Sequence, residues 1–383
     1  MKIIFNKQTV SAAVTPLMCA VSGKSTLNSI EGILIEAQKP DLCTLTTYDL
    51  EKGMRITIEA KVIEEGSFIV NAQKFNQTLK VMDGEEILLT VDDNLVASIE
   101  SGKSFHRMNA LAGSDFPILP TLKSEQSFTV SQGILKKMIG KVSYAMGIND
   151  QRPVLNGAYF EVKEGSLMVV SCDSFKVAKC KKETDVQNSS AEGKKLDFSF
   201  IIPVKTVGEL SRMLDDDEDE TVQIFMTRKN IIFIFGELTF FSRLVDGRYI
   251  DYERVLRKDH KISIEVNKAE LLSALERAAL ITEERIANTV RSSVRFDLAN
   301  GILKILANST AGSTYDEIEV PHEGDPILIA FNNRWLIDSV KACGTDKLKI
   351  YLTSPLTGIN IEPLEKEEGI EEEYMLLPVR MNN

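Results

Sequence analysis

The chain has 383 residues, of which 43% are hydrophobic and 26% charged, and its formal net charge is −11. This composition is typical of a globular protein with roughly two to four domains. The longest apolar runs, such as Ile231–Phe235, are too short to cross a bilayer, and the N-terminus lacks the pattern of a signal peptide. We therefore expect a cytoplasmic protein with no membrane partner. Evenly spread acidic charge would also exclude nucleic-acid binding, because Lys and Arg bind phosphates.

A short strand, a polar N-cap residue and an amphipathic helix recur three times along the chain. The strand ends Phe5, Val130 and Val266 are 125 and 136 residues apart. Ser, Asn and similar residues are preferred at helix N-caps, and the expected caps are Asn6, Ser131 and Asn267. The pattern predicts helices over 7–21, 131–145 and 267–281.

A second strand-to-helix motif lies between these copies, at Asn71, Pro203 and Phe331, with spacings of 132 and 128 residues. It predicts helices over 71–82, 204–214 and 332–343. Alternating apolar residues then predict strands within 86–100, 221–243 and 347–362. The fold class is therefore α+β, with one module written three times in tandem. The predicted domains are 1–124, 125–258 and 259–383.

Signals for catalysis or metal binding are weak. The three histidines, His106, His260 and His322, lack metal-ligand spacing. Residues 23–26 resemble the end of a P-loop, but Met18 stands where that motif requires Gly. We predict a non-catalytic protein without a metal or cofactor, although missing motifs alone leave open an unrecognised α+β enzyme.

The five cysteines have no CxxC spacing, which indicates reduced thiols in a reducing compartment. They are Cys19, Cys43, Cys172, Cys180 and Cys343.

Charge is segregated along the sequence. The six predicted helices together carry +8, so the remainder carries −19. A cationic helix layer suits loose binding of a polyanion. No aromatic platform accompanies it, so duplex backbone contact without base reading is the interpretation that fits best. Two acidic runs, 215–220 and 365–373, are predicted to be a solvated turn and a mobile loop.

Several motifs resemble the bacterial DNA polymerase III beta-subunit family, the replicative sliding clamps. The most specific is Ser242–Tyr249 (SRLVDGRY), which continues into Asp251-Tyr252 and Arg254–Leu256. Similar segments are Leu155–Gly157 (LNG), Ala112–Pro117 (AGSDFP) and Leu377–Arg380 (LPVR). The resemblance extends over the whole chain.

This resemblance implies a ring-shaped, head-to-tail homodimer with helices on the inner face and antiparallel sheets outside. Helices pack about 8–10 Å apart. Twelve of them, but not six, leave a hole of roughly 25 Å, wider than a duplex of about 20 Å. The implied function is processivity: the ring encircles double-stranded DNA and tethers partners by clamp-binding peptides. The implied partners are the polymerase alpha subunit, the clamp loader, the 3′–5′ exonuclease complex, and repair and translesion polymerases.

The resemblance also implies three sets of site residues. Candidates for DNA contact are polar or cationic: Lys24, Gln73, Lys74, Lys80, Lys136, Lys137, Lys141, Asn149, Arg152, Lys205 and Arg212. The groove for partner peptides, between the second and third modules, matches Leu155, Cys172, Phe175, Lys176, Val177, Ile250, Arg254, Val255, Leu356, Gly358, Met375, Leu376, Leu377, Pro378, Val379 and Arg380. The dimer interface is expected to contain Phe105, His106, Met108, Leu280 and Ile281.

The sequence departs from the family at two places in this groove. It has Asp173–Val177 (DSFKV) where the family has Asp-Gly-His/Tyr-Arg-Leu, and Ile250 where Pro is usual. These changes affect the expected shape and peptide preference of the groove. They also leave open a clamp-fold accessory or repair-specific protein as the alternative to the main replicative clamp.

Overall fold

The computed structural model describes residues 1–23, 25–119, 126–190, 195–256, 258–282, 285–286, 289–290, 293–309 and 312–381. The chain forms two compact units. The first unit contains Met1–Val130, Asn188–Lys194 and Thr221–Leu244, and the second contains Ser131–Gln187, Lys195–Glu220 and Val245–Asn383. Within the described ranges, none of the helices combines the length and apolar character that a membrane span requires.

Six α-helices are found at the predicted places: α1 Lys7–Leu17, α2 Ala72–Val81, α3 Gln132–Val142, α4 Val204–Met213, α5 Lys268–Thr282 and α6 Asn333–Ala342. The predicted N-caps are confirmed. Asn6 Oδ1 accepts the Thr9 N–H at 3.1 Å, and Ser131 Oγ accepts the Ile134 N–H at 3.3 Å. Each cap satisfies a backbone donor that the first helical turn leaves without a partner.

Every one of these six helices begins at the residue directly after a strand. The preceding strands are β1 Lys2–Asn6, β6 Gly66–Asn71, β10 Gln126–Ser131, β15 Asp197–Pro203, β19 Ile262–Asn267 and β26 Ile327–Asn332. The last strand residue is thus also the N-cap position. No loop residue separates strand from helix.

Antiparallel strands complete the first unit. They are β2 Gly32–Gln38, β3 Leu42–Tyr48, β4 Lys52–Glu59, β5 Lys61–Glu64, β7 Glu86–Val91, β8 Val96–Ser101, β9 Ser104–Ala112, β16 Thr221–Met226, β17 Asn230–Phe235 and β18 Leu238–Arg243. Together with β1, β6, β10 and the short β14 Gln187–Asn188, all of them belong to one sheet of order β14-β10-β16-β17-β18-β4-β3-β2-β6-β9-β8-β7-β1-β5. Strand β18 pairs with β4, from Leu238 opposite Ile56 to Ser242 opposite Lys52.

The remaining strands belong to the second unit: β11 Gly157–Lys163, β12 Ser166–Cys172, β13 Lys176–Glu183, β20 Arg285–Ile286, β21 Thr289–Val290, β22 Ser293–Ala299, β23 Ile302–Ser309, β24 Gly312–Glu319, β25 His322–Glu323, β27 Lys347–Leu352, β28 Ile359–Pro363 and β29 Ile370–Leu376. Nine strands form a sheet of order β15-β11-β12-β13-β29-β28-β27-β19-β25, and four form β24-β23-β22-β26. Strand β13 pairs with β29, from Lys176 opposite Leu376 to Lys182 opposite Ile370.

The two units do not follow the predicted boundaries near 124 and 258. The reason is strand pairing across them: β16–β18 extend the sheet that contains β1–β9, and β29 joins β13. The three-domain division therefore stays a prediction at this point.

The core consists of strand residues that alternate inward and of apolar helix stripes. In β19, Ile262, Ile264 and Val266 are buried, whereas Ser263 and Glu265 between them are only half-buried. Such period-two burial is the mark of a sheet covered on one face. The four cysteines other than Cys19 are buried, and burial raises the pKa of both Cys43 and Cys180 to about 12, so these thiols are unreactive.

Three sequence-based predictions are wrong. The sequence predicts a mobile acidic loop over 365–373, but Glu371–Glu373 belong to strand β29, and two of these three residues are buried. Cationic partners on β13 and α3 compensate their charge. The predicted ends of two helices are also too late: α1 ends at Leu17 rather than at residue 21, and α3 ends at Val142 rather than at residue 145. A short 3₁₀ helix follows each of them, Met18–Ala20 and Ser143–Ala145.

Candidate functional site

An apolar cluster in the second unit contains seven of the predicted groove residues. Four of these are buried, namely Leu155, Cys172, Val177 and Met375, and three are partly buried, namely Ile250, Val255 and Leu377. Residues that the sequence analysis did not assign to the groove complete the cluster; they include Met168, Val170, Ile201, Tyr249, Leu256, Val154, Tyr159, Val245 and Tyr252. Exposed faces of such a cluster suit an apolar ligand.

Strand pairing assembles the cluster from distant segments. Val177 on β13 lies directly opposite Met375 on β29. At Gly358 the chain passes so close to Met375 that a Cβ atom would lie 2.8 Å from its Sδ. A side chain at residue 358 would displace Met375, so Gly is required there by space rather than by turn geometry.

The loop that connects β12 to β13 forms one edge of the cluster. Asp173 Oδ1 accepts the N–H groups of Phe175 at 3.0 Å and Lys176 at 3.1 Å, which shapes a tight turn. Ser174 in this turn has φ +85°, a region that L-residues rarely adopt. The family motif has Gly here, so this chain retains the turn with an unfavourable residue.

Arg152 lies at the same edge. Its guanidinium donates to Ser174 Oγ and, from Nε, to Asp150 Oδ1 at 3.1 Å. These hydrogen bonds lower the pKa of Asp150. Arg152 was predicted to contact DNA, and the structure brings it to the groove loop. Asn149, from the same set, is exposed with φ +58°.

An aromatic pair lies beside this loop. The Phe175 ring stacks on Trp335 of α6 with centroids 5.1 Å apart, and Phe175 is 50% exposed. The Lys176 ammonium lies 5.3 Å from the Trp335 ring centroid and also pairs with Asp173. Sequence analysis missed Trp335. The signal was available, because this is the chain's one tryptophan and it lies three residues after an N-cap.

The C-terminal segment runs along the same edge. Leu377 N–H donates to Phe175 O at 2.8 Å, and Val379 N–H donates to Ala330 O at 2.8 Å. Leu376 is buried and Pro378 half-buried, whereas Arg380 is exposed. Besides Phe175 and Arg380, two more predicted groove residues lie outside the cluster and face solvent: Leu356 on a turn, and Arg254, whose Nε pairs with Asp251 at 2.8 Å.

The candidate DNA-contact residues differ in their electrostatic surroundings. Lys24 lies outside the described residues. In the described part of the chain, no carboxylate pairs with Lys74, Lys80 or Lys205, and all three are exposed, as is Gln73. Arg212 pairs with Glu209 on its own helix at 2.8 Å.

The three lysines of α3 are all ion-paired. Lys136 Nζ lies 2.9 Å from Asp216 Oδ1, and Lys137 pairs with Glu218. Lys141 pairs with Glu372, whose side chain is only 4% exposed. Glu372 also accepts the Gly344 N–H at 3.0 Å and the Tyr374 hydroxyl at 2.9 Å, and burial raises the pKa of that phenol.

The predicted dimer residues occur on two surfaces, one on each unit. On β9, Phe105 and His106 are exposed, whereas Met108 is buried. On α5, Leu280 is 83% exposed, and Ile281 lies close enough to touch a Cβ placed at Gly312 of β24, at 3.7 Å.

Family models match nearly the whole chain. Residues 1–120 match the N-terminal domain of the DNA polymerase III beta subunit, 129–251 its central domain, and 253–380 its C-terminal domain. These matches, together with the α+β fold, define a DNA sliding clamp, a non-catalytic processivity factor that works with DNA and a polymerase.

Known sliding clamps are similar to this chain along its full length. The beta sliding clamp of Proteus mirabilis is 30% identical over 384 residues and covers 100% of both chains. The DNA polymerase sliding clamp of Bacillus subtilis is similar in structure, with a TM-score of 0.91, 25% identity and full coverage of both chains. A Pseudomonas aeruginosa sliding clamp bound to griselimycin is similar too, with TM-score 0.87, 26% identity and the same full coverage. The chain belongs to the bacterial DNA polymerase III beta-subunit family. The predicted resemblance, fold class and lack of catalytic activity are confirmed.

Proposed function

We propose that two copies of the chain close head to tail into a ring around duplex DNA. We further propose that its groove binds peptides from the replicative polymerase alpha subunit, the clamp loader, the 3′–5′ exonuclease complex, and repair and translesion polymerases. The observation that carries the proposal is the apolar cluster around Val177 and Met375. Two observations support a cytoplasmic location for the protein. It belongs to a family that acts in bacterial replication, which occurs in the cytoplasm, and its described cysteines are free thiols.

The groove suits a short peptide with apolar anchors. Its walls are apolar, and its edge carries a few polar groups such as Arg152 and Lys176. Burying one Leu or Phe side chain there contributes roughly 1.5–3 kcal/mol. Two anchors would then give a peptide moderate affinity and leave it free to exchange, which a tether shared by several enzymes requires. The clamp of similar structure from Pseudomonas aeruginosa is bound to griselimycin.

Open strand edges support the dimer. The segment 104–109 of β9 pairs with β8 on one side, and no described strand pairs with its other side. Strand β24 is likewise the edge of its four-stranded sheet. The first edge carries Arg107, with Lys103 in the turn before it, and the second carries Glu317, Glu319 and Asp316, which pairs with Arg277. We propose that β9 of one copy pairs with β24 of the next, because unpaired edges of opposite charge invite it.

The DNA contacts are proposed for the exposed cations Lys74, Lys80 and Lys205, with Gln73 and Arg212. Contacts of this kind are sequence-independent and weaken with salt. Lys141 has a different role in this proposal, because its pairing with the buried Glu372 withdraws it from phosphate. We also propose that the domain boundaries lie near residues 124 and 258, since each resulting segment contains two strand-to-helix motifs.

Retention on circular DNA tests the topological proposal. Clamp loaded onto a nicked circle should stay bound during gel filtration and be lost once a restriction enzyme linearises the circle. Equal retention on linear DNA would contradict encirclement. A clamp dedicated to repair would show the same retention without stimulating the replicative polymerase, so polymerase stimulation on primed circles separates these two functions.

A further inference from the structure

The acidic loop between α4 and β16, residues 215–220, is attached to the beginning of α3. The Gln132 N–H donates to Glu220 O at 2.8 Å, and the Gly133 N–H donates to Asp217 O at 3.1 Å. The side chain of Gln132 accepts the Asp215 N–H at 3.0 Å. The loop therefore satisfies backbone donors that a helix N-terminus otherwise leaves open, and its conformation is fixed relative to that helix.

Gly133 makes this close attachment possible. A Cβ atom at residue 133 would lie 2.6 Å from Asp216 O and 2.9 Å from two backbone atoms of Asp217. Only a residue without a side chain leaves room for the loop backbone. Gly is less favourable than Ala in a helix. Gly133 therefore lowers the stability of the helix while it allows the loop to attach.

The attachment brings two carboxylates to two lysines of α3. Asp216 pairs with Lys136 at 2.9 Å and Glu218 pairs with Lys137. The hydrogen bond between them raises the pKa of Lys137 and lowers that of Glu218. On α2 the exposed Lys74 and Lys80 have no such partners among the described residues. All three lysines of the most cationic helix of the sequence are thus paired with carboxylates of this chain.

We propose that the loop 215–220 is a built-in competitor of DNA, whose Asp216 and Glu218 occupy Lys136 and Lys137 in place of phosphate. This inference rests on the proposed function, because it requires that α3 faces the duplex. The loop reduces the affinity of α3 for DNA rather than abolishing it. Exposed ion pairs contribute little net free energy, so a phosphate can replace a carboxylate and be replaced in turn.

Exchange of this kind suits a clamp that must slide. A lysine that leaves one phosphate pairs with its carboxylate before it binds the next phosphate. Lys136 and Lys137 are therefore never unpaired while the clamp moves along DNA. The freed carboxylate also repels the DNA backbone. The loop would then keep the contact of α3 with DNA short-lived at low salt, where bare lysines would bind tightly.

A charge-removal pair with a matched control tests the proposal. D216N/E218Q should bind a short linear duplex roughly tenfold more tightly than wild type at low salt, measured by fluorescence anisotropy across a salt titration. The control, D219N/E220Q, removes the same charge from the same loop, and neither Asp219 nor Glu220 pairs with a described cation. It should gain clearly less. Equal gains would reduce the effect to general charge and overturn the proposal.

Two further variants remove the remaining ambiguity. G133A leaves the net charge unchanged but forces the loop away, so it should also tighten duplex binding, with folding checked by circular dichroism. In a K136M/K137M background, D216N/E218Q should gain no more affinity than D219N/E220Q does, because both variants then remove only general charge. If K136M/K137M weakens DNA binding and D216N/E218Q leaves it unchanged, the proposal of a competing loop is refuted, while the proposed DNA-binding function stands. If K136M/K137M binds like wild type, α3 does not face DNA, and the proposed DNA surface itself fails.

Discussion

Two strand pairs connect the three family domains, and they are built differently. The pair β4–β18, between N-terminal and central domains, places Phe240 opposite Met54 and Phe241 opposite Gly53. The pair β13–β29, between central and C-terminal domains, places Lys179 opposite Glu373 and Lys181 opposite Glu371. The first junction has buried apolar side chains at its centre. The second has ion pairs, and the apolar cluster around Val177 and Met375 lies beside them.

If the apolar cluster binds peptides as proposed, the chain joins its domains at one junction and binds its partners beside the other. A junction with an apolar centre gains from every buried contact there and offers little to a ligand. The charged junction leaves its neighbouring apolar cluster partly uncovered, and charged pairing keeps the strands in register without using that surface. Four sets of substitutions, taken from the largest expected effect to the smallest, and then one deletion test this separation.

Phe240→Ala tests the junction between β4 and β18. Phe240 is fully buried on β18, so its loss should cost about 3–5 kcal/mol of unfolding free energy. Denaturant unfolding followed by circular dichroism measures the change, with Thr239→Ala on the same strand as control. Peptide binding by the folded variant should be unchanged. Lost peptide affinity at full folding would show that the two junctions are coupled.

Val255→Asp attacks the groove. Val255 is only partly buried, so the chain should fold normally while a charge in the apolar cluster costs about 2–3 kcal/mol of peptide affinity, or roughly a hundredfold in Kd. Titration of a fluorescent clamp-binding peptide gives the value. Leu328→Asp, at a partly exposed apolar residue outside the cluster, is the matched control and should bind like wild type.

Glu372→Gln tests the charged junction between β13 and β29. It leaves Lys141, whose side chain is 20% exposed, without its carboxylate, so stability should fall by about 1–2 kcal/mol. In K141M/E372Q the combined loss should be smaller than the sum of the single losses, because each single variant already breaks the pair. Additive losses would mean that the pair contributes nothing to the junction.

Ser174→Gly and Ser174→Ala probe the groove loop. Both remove the hydroxyl that Arg152 contacts, but only Gly relieves the positive φ. We expect S174G to be more stable than S174A by about 1 kcal/mol in thermal or denaturant unfolding. Equal stabilities would indicate that the backbone of the loop is not strained.

A larger deletion tests the C-terminal edge. Removing residues 377–383 takes away the Leu377 contact with the cluster and the hydrogen bond to Phe175. Polymerase stimulation should be lost while the dimer persists in analytical ultracentrifugation, since the proposed dimer edges lie on β9 and β24. Dissociation into monomers would refute the proposed position of the groove.

Local features were predictable from the sequence, and long-range pairings were not. The helices and their caps follow from a few neighbouring residues, as at Asn6 and Ser131, and the motif around Ser242–Tyr249 indicated the family. The partner of Lys137 lies 81 residues away and that of Lys141 lies 231 residues away. Periodicity carries no information about such partners, and for the same reason Glu372 was interpreted as part of a mobile loop.

The direct passage from strand to helix, repeated six times, limits how the chain can change in length. A residue inserted at such a junction would turn the following helix by about 100° about its axis and move its apolar face out of the core. Substitutions at the same junction leave the direction of the helix unaltered. Relatives can therefore differ at most positions and keep the same fold, whereas insertions and deletions should be confined to the turns between strands.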